Sequence, residues 1–401
     1  MELTEKQQLG LRIALEGYLN HEKYTIISGY AGTGKSTLVK FIISALSQYG
    51  INPEEDVVFT SFTGKATQVL QKKGNKNVST LHRLLYEFKP RSDGTFYRQA
   101  KIDLFPYKIV VVDECSMAPK ELLQQLFKHD VYIICLGDPG QLPPVNKDDD
   151  NHLLDNPHIF LDEVMRQAAE SEIIQLSMKI RNGEPINNFC GKEVQVISKA
   201  ELNTGMLQWA DQVLCATNST RVALNNQMRD LLGRGDMPED GDKIICLRNY
   251  WDYISEEGEN PLVNGTIGFL RNSFESFHQL PIYLGVKPER FPVVISDFIT
   301  DSNESYGHLT MDKRMILEGE PTLNWKDSFK VSSARKGMYR HLVPMNFTYG
   351  YAITGHKSQG SEWNKVLVIE ERFPFDKEEH QRWLYTCVTR AAEKLVLVRP
   401  N

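Results

Sequence analysis

The sequence is poor in cysteine. Its six cysteines, among 401 residues, lie at 115, 135, 190, 215, 246 and 387. None forms a CxxC pair and the spacings are wide, which argues against a zinc ribbon and a disulfide scaffold. Cys115 and Cys135 sit in apolar, strand-like runs where cysteine acts as a small hydrophobe. That usage suits a reducing compartment, and a cytoplasmic setting is expected. No run approaches the ~18 consecutive apolar residues of a membrane span, and Glu2, Glu5 and Lys6 make the first residues polar. Neither a transmembrane helix nor a signal peptide is expected, and no membrane partner. Internal repeats with a period of about 20–50 residues and low-complexity tracts are also missing. Excess positive charge is missing too: 46 Lys and Arg against 52 Asp and Glu leave −6. That balance excludes a histone-like or tail-driven nucleic-acid binder, although it leaves room for a local basic groove.

What is present is ordinary in bulk. Hydrophobic residues make up 41% and charged residues 24%, enough for a sizeable core. At roughly 150 residues per domain the length predicts two or three domains. The first 150 residues alternate short apolar strands (Tyr24–Ser28, Asp56–Ser61, Tyr107–Val112, Val131–Leu136) with helical stretches (Ser36–Gln48, Lys65–Lys73). This alternation predicts βαβ units and a parallel sheet. Asp93-Gly94 amid strand formers predicts a hairpin insert. Asn146–Asn156 is acidic and polar and reads as a linker. A helix at Glu172–Arg181, a strand at Gln212–Ala216 and a helix at Thr220–Leu232 follow. From Gly241 to Met345 strand-like runs (Lys243–Leu247, Thr266–Arg271, Phe291–Ile299) predict a β-rich insert. The α/β pattern is expected to return near Asn346, with a strand at Lys365–Ile369, a helix at Glu378–Ala391 and a strand at Lys394–Val398. The expected layout is α/β. Two α/β lobes span 1–85 with 105–150, and 151–240 with 346–401. Inserts lie at 86–104 and 241–345.

Gly29-Tyr30-Ala31-Gly32-Thr33-Gly34-Lys35-Ser36 fits GxxxxGK[ST] in full, after a strand and at the start of a helix. Its glycines let backbone N–H groups of Gly29, Ala31, Gly32, Thr33 and Gly34 curl around phosphate, and the helix N-terminus favours anions. Lys35 is expected to reach the β- and γ-phosphates, Ser36 to ligate Mg²⁺, and Thr37 to complete the loop's contacts. Ile109–Val112 runs into Asp113 and Glu114. Buried carboxylates are costly unless they hold a cation, so Asp113 is expected on Mg²⁺ and Glu114 on the attacking water. In Gly137-Asp138-Pro139-Gly140-Gln141, Asp138 and Gln141 are expected to face the γ-phosphate, Gln141 through an amide that senses the water. A plain turn is the alternative for Gly-Asp-Pro-Gly.

With these motifs in order, the chain resembles superfamily 1 helicases, in the 5′-to-3′ branch of RecD, Pif1 and phage Dda. Its layout is most similar to Dda. The resemblance runs from Leu3 to Val398 and implies two RecA-like lobes with a pin hairpin in the first and an SH3-like insert in the second. Leu3-Thr4-Glu5-Lys6-Gln7 is similar to the adenine-reading motif, which implies Gln7 on the base edge; a first-helix cap through Thr4 is the local alternative. Phe62-Thr63-Gly64-Lys65-Ala66 resembles a strand-contacting motif in which the family's proline is replaced by Phe62. Ser79-Thr80-Leu81-His82 resembles the next. The resemblance implies Thr63, Lys65, Thr80 and His82 on single-stranded DNA. Asp113-Glu114-Cys115-Ser116-Met117 matches the family's acidic motif. Val164-Met165-Arg166-Gln167 resembles the second-lobe arginine motif, with Met165 where many relatives carry an adenine-stacking aromatic. Thr217-Asn218 with Asn225 is similar to the family's strand–helix start. Tyr351–Trp363 matches the fifth motif, implying Thr354, His356, Lys357 and Ser358 on the DNA backbone and Glu362 on ribose. Tyr385–Ala391 matches the sixth, implying Arg390 as an arginine finger alongside Arg166. Arginine fits this role because its fork stabilises charge on the γ-phosphoryl oxygens in a way lysine cannot copy; a surface salt bridge is the alternative for each.

By resemblance, Phe96 is the wedge of the pin, stacking on bases; a plain cross-strand aromatic is the alternative. The implied activity is ATP- and Mg²⁺-dependent unwinding with 5′-to-3′ translocation on single-stranded DNA. Single-stranded, duplex and forked DNA are the expected partners, with replication or recombination proteins as further ones, and a monomer is the expected state. The alternatives are a motor subunit of a recombination nuclease, or an ATP-gated DNA-binding switch. Few phosphate contacts (Lys65, His82, Lys357) imply a shallow salt dependence of DNA binding.

Overall fold

A computed structural model describes residues 3–90, 96–144, 151–256, 261–301, 303–372 and 376–400. The chain divides into two compact units. Unit 1 comprises Met1–Glu87, Ala100–Ala216 and Gly355–Asn401, and unit 2 comprises Phe88–Gln99 and Thr217–Thr354.

Unit 1 begins with α1 (Glu5–Leu19), started by a capping box in which Thr4 Oγ1 accepts from Gln7 N and Gln7 Oε1 accepts from Thr4 N. The chain continues through β1 (Tyr24–Gly29), α2 (Lys35–Leu46), β2 (Val57–Ser61), α3 (Gly64–Lys72), β3 (Val78–Thr80) and α4 (Leu81–Leu85). β4 (Tyr86–Pro90) and β5 (Phe96–Ala100), most of whose residues fall in unit 2, pair as a two-stranded ribbon. β6 (Ile109–Val112), α5 (Lys120–Leu126), β7 (Tyr132–Gly137) and β8 (Ile159–Leu161) complete a six-stranded sheet ordered β3-β2-β6-β7-β1-β8. Every neighbouring pair in it is parallel. Helices cover both faces, so β6 is apolar throughout. Ile109 and Val111 join the α1/α2 core, while Val110 and Val112 join the α4/α5 core on the other side.

A second sheet of unit 1 follows α6 (Arg166–Ala169) and α7 (Glu172–Arg181). It contains β9 (Phe189–Cys190), β10 (Val194–Ser198) and β11 (Gln212–Cys215), with α8 (Thr204–Trp209) before β11. After the chain returns from unit 2, β20 (Trp363–Ile369), α12 (Lys377–Val388) and β21 (Ala391–Arg399) are added. Its order is β11-β20-β21-β10-β9, parallel except for the β9 edge.

Unit 2 takes α9 (Asn218–Leu231), β12 (Lys243–Cys246), β13 (Tyr250–Ile254), β14 (Pro261–Leu262), β15 (Ile267–Gln279), β16 (Arg290–Thr300), β17 (Ser305–Asp312), α10 (Lys313–Glu318), α11 (Trp325–Ser333), β18 (Phe347–Tyr349) and β19 (Ala352–Thr354). Five strands form an antiparallel sheet ordered β17-β16-β15-β12-β18. One buried ion pair anchors it: Arg229 of α9 grips Asp242 through two hydrogen bonds of 3.1 Å each, and Tyr351 donates to the same carboxylate at 2.9 Å. The Arg229 and Asp242 side chains are 7% and 0% exposed.

The structure departs from the sequence expectations in specific places. The 241–345 segment is not purely β-rich. Asp312 caps α10, accepting from Arg314 N and Met315 N, and Asn324 caps α11, accepting from Asp327 N. The α/β pattern does not resume at 346, because β18 is the edge strand of the antiparallel sheet and Phe347 packs edge-on against Phe298. The compact boundary falls between Ala216 and Thr217, ahead of the expected 240/241. β15 runs on to Gln279 past a register shift between Arg271 and Phe274. The C-terminal helix stops at Val388, so Arg390 lies in the turn before β21 instead of on the helix. The expected linker 146–156 falls partly outside the described residues, as do the turn of the hairpin, 91–95, and the side chain of Phe96.

Candidate nucleotide site and strand-binding loops

The glycine-rich loop of unit 1 is shaped by what stands around it. Gly34 takes φ +78 and Gly32 φ +76, a left-handed backbone that favours glycine. A Cβ on Gly34 would lie 2.5 Å from Gln7 Nε2, and one on Gly29 would lie 2.8 Å from Leu161 O. Lys35 Nζ donates to Gly29 O (2.6 Å) and Tyr30 O (2.9 Å). Gln7 is 1% exposed, and its Nε2 donates to Thr33 O at 3.2 Å. With its Oε1 on Thr4 N, both ends of the Gln7 amide brace the cap and the loop, the local alternative to reading a base edge. Met165 N donates to Gly32 O, and the Met165 sulfur lies 3.3 Å from Gln7 Nε2. The Arg166 side chain is outside the described residues; its backbone begins α6.

The acidic groups gather at the carboxyl edge of the first sheet. Asp113 follows β6, and its N donates to Thr60 O. Burial and then the adjacent Glu114 charge push its pKa up, against the pull of Lys73 and Lys35. Glu114 has φ +51, a strained conformation for a non-glycine residue. That conformation brings its carboxylate to Gln141 Nε2 at 3.3 Å. Gln141 is 7% exposed, and its Oε1 is buried without a partner. Asp138 is 3% exposed; its Oδ1 accepts from Gly140 N at 2.9 Å. Burial raises its pKa, opposed by Lys35 and by the hydroxyl of Tyr385.

Tyr385, on α12 of the second sheet, is the residue that sequence reasoning left without a role. Its hydroxyl donates to Asp138 Oδ2 at 2.8 Å and accepts from Ala31 N at 2.8 Å. Burial and the Asp138 charge push its pKa far above that of a free tyrosine. Leu142 N donates to Thr386 Oγ1 (2.9 Å), and Gln359 Nε2 donates to Leu142 O (2.7 Å). Arg181 lies 3.8 Å over the ring of Tyr30. The second sheet's helices are thus bonded directly to the phosphate loop and to the Asp138 turn. Arg390 is 6% exposed and held by its own lobe: Nε donates to Thr386 O, Nη1 to Ser361 O and Nη2 to Thr389 Oγ1. Glu362 is exposed at the start of β20.

ATP and Mg²⁺ fit these residues. The loop supplies N–H groups and a lysine, and the unpaired Gln141 amide oxygen faces inward beside Glu114. Ser36, exposed at the first turn of α2, and Asp113 would hold Mg²⁺, which would relieve the repulsion between Asp113 and Glu114. Among the described residues no group of three or more His, Cys, Asp or Glu is placed to hold a metal. Mg²⁺ here would take most of its ligands from phosphate and water.

The expected strand contacts fall at the starts of α3 and α4, at the end of β19 and in the fifth-motif loop. Thr63 Oγ1 accepts from Ala66 N and Thr80 Oγ1 from Arg83 N, each capping a helix while its own O–H remains to donate. Lys65 sits in the first turn of α3. His82 lies between Phe62 and Tyr86, with ring centroids at 5.7 and 6.4 Å, so Phe62 in place of proline extends an aromatic row. A Cβ on Gly360 (φ +70) would meet Ala66 Cβ and Thr63 Oγ1 at 3.0 Å, so the fifth-motif loop packs onto the start of α3. His356 and Lys357 are partly exposed in that loop; burial lowers the His356 pKa, opposed by Glu379. Ser358 departs from expectation: it is 0% exposed and its Oγ donates to Gly355 O at 2.7 Å. Its hydroxyl shapes the loop instead of meeting a phosphate. Thr354 ends β19 in unit 2.

Comparison with known proteins places these motifs in context. The AAA domain family matches residues 3–200, and the UvrD-like helicase C-terminal domain matches residues 349–398. The chain is 25% identical over 394 residues to the ATP-dependent RecD2 DNA helicase of Deinococcus radiodurans, covering 93% of this chain and 46% of that protein. It is 30% identical over 196 residues to the ATP-dependent DNA helicase dda of Enterobacteria phage T4, covering 46% of this chain and 43% of that protein. The matched regions span less than half the length of these two relatives. Among solved structures, Pif1 of Bacteroides in complex with ADP-AlF3 and single-stranded DNA superposes with a TM-score of 0.51 at 16% identity, over 99% of this chain and 92% of that one. A structure of two coordinating Pif1 helicases at forked DNA gives 0.52 at 18%, over 100% and 92%. At these identities the likeness is one of fold.

Proposed function

The chain belongs to the superfamily 1 helicases of the RecD/Pif1 type, and we propose that it is an ATP-dependent DNA helicase that translocates 5′ to 3′ on single-stranded DNA and unwinds duplex. The observation that carries the reading is Tyr385. One hydroxyl from the second lobe bonds both the phosphate loop and Asp138 of the first, so the two lobes meet at the nucleotide cleft.

The residues divide the work. Lys35 and the loop amides bind phosphate, which requires Lys35 Nζ to leave Gly29 O and Tyr30 O. Glu114 takes the proton of the attacking water, and Gln141 orients that water while bonded to Glu114. Bound Mg²⁺ would neutralise charge on the phosphates. Arg390, now tied to Thr386, Thr389 and Ser361, would have to be redirected toward the γ-phosphoryl group, with Arg166 as the second finger. The cost of releasing those bonds makes turnover conditional on lobe arrangement. Thr386 Oγ1 and Gln359, both bonded to Leu142, carry that arrangement from the Gln141 turn to the fifth-motif loop next to Thr63. The strand is gripped by Thr63, Lys65, Thr80, His82, His356 and Lys357, with the β4–β5 ribbon as the pin and the unit 2 sheet as its support.

ATP hydrolysis with and without single-stranded DNA tests the reading, and DNA should stimulate it by tenfold or more, by ~1.4 kcal/mol of barrier. A DNA-independent rate would reduce the protein to a nucleotide switch. Unwinding of duplexes with a 5′ or a 3′ tail then reads polarity, and unwinding of the 3′-tailed substrate alone would overturn the 5′-to-3′ assignment.

A further inference from the structure

Unit 2 carries a surface that the strand-binding motifs do not explain. On α11, Trp325 and Phe329 stand one turn apart and are 68% and 69% exposed. The helix is anchored from its other side by Val331, 0% exposed, in a core with Leu280, Leu284 and Phe291. Large aromatics left in water on a well-anchored helix mark an interaction surface. Tyr283, 58% exposed, lies under the Arg335 guanidinium of the turn after α11 at 5.1 Å and edge-on to Tyr339 at 6.3 Å. Charge follows the aromatics. Residues 325–341 hold Lys326, Lys330, Arg335, Lys336 and Arg340 against one acid, Asp327, in a chain of net −6. Among the described residues Lys330, Arg335 and Lys336 form no ion pair, and the Asp327 carboxylate accepts from Asn324 Nδ2. Arg335 and Lys336 both adopt left-handed backbone, φ +46 and φ +57. Two such residues in succession are uphill for non-glycine side chains. Both cations come from one tight turn, whose Arg335 lies over the Tyr283 ring.

We propose that this face of α11 and the 334–337 turn is a binding site for single-stranded nucleic acid, with bases stacking on Trp325 and Phe329 and phosphates on Lys330, Arg335 and Lys336. Cations without ion-pair partners, interleaved with exposed rings, fit a strand whose bases are open for stacking. A duplex would offer its phosphates but not the base faces. An acidic peptide or a second copy of the chain would use the same cations or rings, and the experiment separates them. The site rests on the helicase reading for its place in unwinding only, since its binding is measured without ATP.

The test uses the full chain and a fluorescein-labelled thymidine oligonucleotide. Trp325→Ala/Phe329→Ala should weaken binding by about tenfold or more with an unchanged salt slope. Arg335→Ala/Lys336→Ala should weaken it and flatten log K against log salt by about 1.4, at roughly 0.7 per phosphate contact. Tryptophan emission should be quenched by the oligonucleotide, with less quenching in Trp325→Phe. DNA-free ATP hydrolysis and the melting temperature should match the parent in all variants, because these side chains are on the surface. Unchanged affinity together with unchanged quenching overturns the proposal. Loss of self-association alone, or loss of duplex binding alone, overturns it as well. Absence of DNA-stimulated hydrolysis would defeat the helicase reading while leaving the binding result to stand or fall separately.

Discussion

The nucleotide cleft of unit 1 and the α11 face of unit 2 both concentrate chemistry, by opposite means. In the cleft nearly every polar atom is engaged: Asp138 with Tyr385 and Gly140, Arg390 with three carbonyl or hydroxyl oxygens, Gln7 with Thr4 and Thr33. Function there requires bonds to be exchanged. On the α11 face the rings are open to water, and among the described residues three of the cations form no ion pair. Function there requires only that something arrive. The proposed mechanochemical step suits the first setting, where binding would be coupled to rearrangement, and the proposed holding contact suits the second.

The largest expected effects would break the cleft and leave everything else. Lys35→Ala and Arg390→Lys should each lower kcat by about 10³-fold or more, since Lys cannot supply the guanidinium fork. Steady-state hydrolysis, with oligonucleotide binding as the control, checks this; near-normal turnover in either would remove that residue from the chemistry. Arg229→Ala should do the reverse. It leaves Asp242 buried and unpaired, so unit 2 should lose about 3–5 kcal/mol of stability, read by denaturant unfolding, with DNA-free hydrolysis retained. A variant that melts like the parent would show that the pair is not what anchors unit 2. Tyr385→Phe keeps the ring and removes both hydroxyl bonds, at about 1 kcal/mol each. Its expected signature is a severalfold change in hydrolysis with a modest fall in melting temperature, and identical kinetics would deny the hydroxyl any coupling role.

The smallest effect concerns pH. Glu370 is buried, which raises its pKa, yet His380 and Arg399 together hold it below the ordinary carboxylate value. A depressed carboxylate stabilises the fold above its unfolded pKa and loses that contribution as pH falls through its folded pKa. Melting temperature should therefore decline on acidification below the usual carboxylate range, and less steeply in Glu370→Gln. Parallel pH profiles for the two would place the acid sensitivity elsewhere.

The cleft was legible in the sequence because a phosphate loop is a local object: Gly32, Gly34 and Lys35 are set by a single strand–turn–helix. The fold of the first sheet was equally plain from Ile109–Val112 and its neighbours, whose unbroken apolar runs follow from burial on both faces. Tyr385 was not legible, because its role depends on partners in another lobe. Ser358 was misplaced because a motif records residue type and not which way a hydroxyl turns. Helices α10 and α11 of unit 2 were missed for a different reason, whereas α9 was expected. Their caps, Asp312 and Asn324, were readable, but α10 and α11 are too short for apolar periodicity to register against flanking strands. The same gap hid the α11 face, which no motif marks.

The bond between Tyr385 and Ala31 joins residues 354 positions apart. Contacts of such long sequence separation form late, after local structure is in place. A chain emerging from the ribosome can therefore assemble its phosphate loop and first sheet long before it owns Tyr385 or Arg390. On the helicase reading, the nascent chain would hold a nucleotide pocket before it owns the groups proposed to spend the nucleotide, and the order of translation would itself keep the unfinished motor from consuming ATP.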